Sequence, residues 1–186
     1  MNIIEKAKQY AQGKAIDALT AAIEQAYTDG YNDGINHLEK EKLEAAKAGV
    51  TFKNLDLPSG IAWSDGYVKD VIGFTKMMSY PDASKLDIPN IEDFKELVSN
   101  CPIQFLNETR FHGLKFILKN GEEIKLHYER HQGQSDVGIN NVIFWLKGEE
   151  DGNERNFACI YGPNKWVVAK TYMGYQLPVM LVKKER

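Results

Sequence analysis

A chain of 186 residues, 43% hydrophobic and 26% charged, holds enough apolar material for one full core plus an appendage. Its formal net charge of −3 and isoelectric point near 5.8 exclude the basic face of a general nucleic-acid binder. No run approaches the roughly 18 apolar residues of a membrane span.

The N-terminus, MNIIEKAKQYAQGK, lacks the apolar stretch of a secretory signal, so the chain reads as cytoplasmic at synthesis unless a signal once preceded it. Residues 1–49 contain no proline and are rich in Ala, Glu, Lys and Gln. Apolar residues at Ile16, Leu19, Ile23, Tyr27, Tyr31, Ile35 and Leu38 step by threes and fours, with Leu43 five further on, which predicts a long helix or a helical hairpin. Gly13, Gly30 and Gly34 each weaken a helix by about 1 kcal/mol relative to Ala, so a break there is open. Gly49 fits a helix stop. The repeated TDGYNDG from Thr28 to Gly34 lacks the alternating carboxylates and final Glu of a calcium loop and reads as helix. The apolar stripe needs a partner, either the following domain or copies of itself, so we expect a homo-oligomer or a docking segment.

From Val50 the texture changes to short aromatic and β-branched runs between turn residues. NIEDFKELVSNC carries Asn90 as an N-cap with Asp93 three residues on, then Ile91, Phe94, Leu97 and Val98 on one face, and Pro102 as a stop. It predicts a short amphipathic helix. Asn120-Gly121 between two alternating runs predicts a hairpin over 113–129. Strands follow at NVIFWLK, NFACIYG, KWVVAKTY and LPVMLVK. A helix followed by hairpin-connected strands is α+β. Cys101 and Cys159 form no CxxC and read as two buried thiols rather than a disulfide.

Five blocks in order carry a resemblance. LDLPSGIAW (Leu55 to Trp63) resembles the L-G-L-P-S-G-x-x-W opening of the Fibrobacter succinogenes major paralogous domain family, whose fold is similar to C-type lectins. Pro89, Phe94, Glu96, Leu97 and Cys101 match its helical block. Gly113, Phe116, Asn120, Gly121, Ile124 and Leu126 match its hairpin. Phe144-Trp145 stands at its Tyr-Trp, and PVMLVK resembles its last strand. The departures are Asp87 for Arg, His127 for Pro and Leu146-Lys147 for Ser-Ser. The resemblance implies a C-type-lectin-like domain over 50–186, preceded by the helical segment 1–49.

His127, Glu129 and His131 alternate as metal ligands on one strand face would, but the same spacing describes a solvated face and no further ligand is evident, so no metal or other cofactor is expected. Ser59 and Ser64 lie in turn contexts without a base, and no catalytic pair emerges. The Glu-Pro-Asn and Trp-Asn-Asp tripeptides with which lectins of this fold hold calcium are absent.

Aromatic and polar residues crowd the C-terminal part instead. Asn153, Arg155, Asn156, Tyr161, Asn164 and Trp166 are the candidate ligand contacts, with Asn140 and Asn141 nearby. The bland alternatives are that Trp145 is core and that turns simply favour asparagine. The expectation is a non-enzymatic binding and display protein for a protein or glycan ligand, in the setting of a phage or prophage particle. Some lectin-like proteins are diversified by retroelements in this part of the fold. The alternative is a structural or assembly protein of a virion.

Overall fold

The computed structural model describes residues 2–108, 111–128, 141–149 and 151–184. Helix α1 runs unbroken from Ile3 to Lys47, so the three glycines do not divide it. The Thr28–Gly34 segment is helical, with the Thr28 hydroxyl donating to the Glu24 carbonyl at 2.8 Å and the Gln25 amide donating to Asp29 at 2.8 Å. The helix ends where Gly49 adopts φ +77° and the Val50 N–H reaches back to the Lys47 carbonyl. Leu19, Ile23, Tyr27, Tyr31, Ile35 and Leu38 are exposed along it.

The chain forms two compact units, residues 1–44 and 45–186. The second is mixed α+β, and every pair of named strands in it is antiparallel. Strands β1 (Phe52–Asn54), β2 (Ile61–Ser64) and β11 (Val182–Lys184) form one sheet in the order β1-β2-β11. Strand β3 (Met77–Met78) pairs with β10 (Leu177–Pro178). A meander of β4 (Ile103–Glu108), β5 (Phe111–Ile117) and β6 (Glu123–His127) makes a third sheet. The fourth contains β7 (Val142–Trp145), β8 (Glu154–Gly162) and β9 (Lys165–Tyr172). Helix α2 is a single turn (Tyr80–Ala83) and α3 spans Ile91–Asn100.

Local chemistry accounts for most of these elements. The Asn90 side chain accepts the Asp93 N–H at 2.8 Å while Asp93 accepts the Asn90 N–H at 2.9 Å, a complete capping box for α3. Gly121 takes φ +85° in the β5–β6 turn. LPVMLVK does not form one strand. The chain pairs as β10, which closes on Pro178, and again as β11 from Val182; Pro178 has no N–H with which to extend the first ladder.

The core joins Leu55, Leu57 and Trp63 of the opening block to Phe94 and Leu97 of α3, and to Phe116, Ile124 and Phe144 from the sheets. Trp63 and Phe94 both set edges against Phe144, with ring centroids 6.4 and 5.8 Å apart. Trp145 is fully buried, its indole N–H donating to the Met78 carbonyl at 2.7 Å.

Candidate functional site

An open cleft of about 910 Å³ lies between the loop after β2 and the β5–β6 hairpin. Its walls carry Lys53 from β1, Phe74 from the loop, Phe111 from β5, and Lys125 and His127 from β6.

The loop is built to hold its tip still. Asp70, with Gly73 three residues on, is a type I turn signature, and the Gly73 N–H donates to the Asp70 carbonyl at 3.1 Å. The Asp70 carboxylate accepts the N–H groups of Ile72 and Phe74, both at 3.0 Å, and the Asp70 N–H donates to the Phe74 carbonyl at 2.8 Å. Lys69 bridges Thr75, and the base is pinned by Lys76 N–H to Val68 carbonyl at 2.8 Å. On this frame Val71 is 95% exposed, Ile72 74% and Phe74 69%. Three large apolar side chains are thus presented to solvent by a hydrogen-bonded turn.

The facing wall is aromatic and charged. Phe111 and His127 lie with ring centroids 4.1 Å apart. Lys53 pairs with Asp65 at 2.8 Å and also donates to the Glu123 carbonyl. The Glu123 carboxylate takes Lys115 directly and Lys125 at 3.5 Å. The hydrogen bond from Lys115, with a further contribution from Lys125, holds the Glu123 carboxyl below its usual range. Three lysines (Lys53, Lys69, Lys125) and three carboxylates (Asp65, Glu122, Glu123) line the cleft, so donors and acceptors balance. Rings flanked by paired donors and acceptors suit a polar ligand with one apolar face.

The six residues singled out from sequence are not brought together. Asn153 and Asn164 cap opposite ends of the nine-residue β8, about 25–30 Å apart at the rise of a strand. Asn164 is exposed at φ +56° after Pro163, in the two-residue β8–β9 turn, and Tyr161 beside it is 52% exposed. Trp166 is half-buried, edge-on to Phe94 at 5.4 Å.

Arg155 and Asn156 are buried. The Arg155 guanidinium donates to the carbonyls of Gly152 and Glu154 at 2.8 Å and lies over the Tyr80 ring at 5.5 Å. The Asn156 carbonyl accepts the Leu146 N–H, and its side chain fills the space where a Cβ on Gly148 would stand. Glu129, His131 and Asn140 lie outside the described residues.

The loop contacts went unnoticed in the sequence, although one signal was there. Asp70-Val71-Ile72-Gly73 is a turn whose two corner residues are both large and apolar, where corner positions are ordinarily polar. Elsewhere, Cys101 and Cys159 are free and buried, and burial pushes both thiols up. Among the described residues no group of three or more His, Cys, Asp or Glu is placed to hold a metal, and no helix is long and apolar enough to cross a membrane.

Comparison with protein-family models, curated proteins and solved structures finds no match.

Proposed function

We propose that the chain is a non-enzymatic ligand-binding and display protein whose C-terminal unit is a C-type-lectin-like domain. The ligand, a glycan or a protein surface, binds at the cleft between the Asp70–Phe74 turn and the β5–β6 hairpin. The observation that carries this reading is Phe74, two-thirds exposed yet fixed by two hydrogen bonds from its own turn. Burying such a ring on binding contributes about 2 kcal/mol, and the hydrogen-bonded backbone spares binding the entropy cost of ordering the turn. Tyr161 and Asn164 on the β8–β9 turn form a second, smaller exposed surface.

The helical segment serves as an oligomerisation or docking element, and a phage or prophage particle is the setting proposed for the whole. The exposed apolar ridge of α1 favours a second reading, a structural protein of such a particle. Glycan and surface-protein arrays probed with the purified full chain test the binding reading. Specific retention that is lost in Phe74→Ala supports it, and no retention on either array counts against it.

A further inference from the structure

Residues 18–35 of α1 repeat a four-residue unit. Ala18-Leu19, Ala22-Ile23, Ala26-Tyr27, Gly30-Tyr31 and Gly34-Ile35 each set a small residue before a large apolar one, with the small and large members recurring every fourth position. All five large members are exposed, Ile35 at 39% and the others at 61–77%. Four residues turn a helix by about 400°, so the ridge winds right-handed by about 40° per unit, with a shallow groove of small residues beside it. A left-handed coiled coil needs a 3.5-residue stride, which this sequence does not keep. Ridges and grooves of four-residue stride interdigitate at a crossing angle of about −50°.

The helix also needs a packed face. Gly30 and Gly34 each cost about 1 kcal/mol in mid-helix, and helices in water draw most of their stability from packing. A second copy supplies the matching surface, because each ridge residue has its groove residue beside it and a two-fold pair engages both twice. Five large side chains with their neighbours bury on the order of 500 Å² a side, which reaches the lower limit of about 1,000 Å² in total for a specific interface. Asp29 and Asp33 follow Tyr27 and Tyr31 by two residues, about 200° round the helix, so these acids do not meet across the pair.

We infer that α1 pairs with α1 of a second copy through the Ala18–Ile35 ridge and groove, crossing right-handed at Ala26–Gly34. This rests on the oligomerisation role proposed for the helix and is independent of the cleft.

Sedimentation equilibrium of the full chain at about 1–50 μM tests it, that range spanning micromolar affinities. A dimer is expected. The double variant Gly30→Leu/Gly34→Leu raises helix propensity but fills the groove, so the dimer weakens at least about tenfold while helical circular dichroism is kept. In a heptad coil or a merely greasy contact the added leucines tighten association. A monomeric wild type, a trimer or larger species, or a tighter dimer in the double variant overturns the inference. Phe74→Ala leaves the sedimentation unchanged, which separates this result from that of the cleft.

Discussion

Ser59 is fastened to Glu96 by both of its donors, the backbone N–H at 2.9 Å from Oε1 and the hydroxyl on Oε2. Thirty-seven residues separate them. The link ties the Leu-Pro-Ser-Gly turn to the middle of α3, so two of the blocks that carry the family resemblance touch. Leu57, the first residue of that turn, and Leu97, just after Glu96, lie in the same core.

Removing either partner of that link should cost about 1 kcal/mol, since the bonds are charge-assisted but partly solvated. Ser59→Ala and Glu96→Ala, alone and together, measured by urea denaturation, should show a coupling of about 0.5–1 kcal/mol. Strict additivity would contradict the contact.

Both cysteines are free, and burial raises their thiol pKa, so little thiolate forms near neutral pH. A thiol-specific chromogenic reagent should react slowly with the folded chain and titrate two thiols in denaturant. Rapid reaction under native conditions, or fewer than two thiols after unfolding, would be inconsistent with this.

Glu123 has a folded-state pKa held below the unfolded value of about 4.3. Its contribution to stability is therefore complete above that value and is lost as pH falls through the lower folded one. The urea midpoint of wild type should fall more steeply than that of Glu123→Gln as pH is lowered below about 4.3. Parallel curves would show that the Lys115 pairing does not form.

Much of the fold is legible in the sequence because its signals are local. Asn90 and Asp93 stand three apart and close a capping box, and Asn120-Gly121 turns a hairpin whose flanks alternate. Trp145 is buried, which is the core alternative that the sequence leaves open for it. Strand β4 is less legible, since Leu106 is the one buried residue of Ile103–Glu108 and the strand shows weak alternation.

The site is harder to read because it depends on distant pairings. Asn153 and Asn164 are eleven positions apart, yet β8 runs extended between them and separates them. Arg155 looks like a surface cation until the ring of Tyr80 and two carbonyls are found around it. No spacing rule links Phe74 to Phe111; only the antiparallel packing of the second unit puts both on one cleft.

The most direct test of the binding account is array retention of wild type, Phe74→Ala and Tyr161→Ala at equal concentration. Loss of the exposed ring that binding would cover should weaken binding in Phe74→Ala by about 10- to 30-fold, with urea stability within about 0.5 kcal/mol of wild type. Tyr161→Ala should bind as wild type does. Equal retention by Phe74→Ala and wild type, or loss confined to Tyr161→Ala, would contradict a ligand site at the Asp70–Phe74 turn.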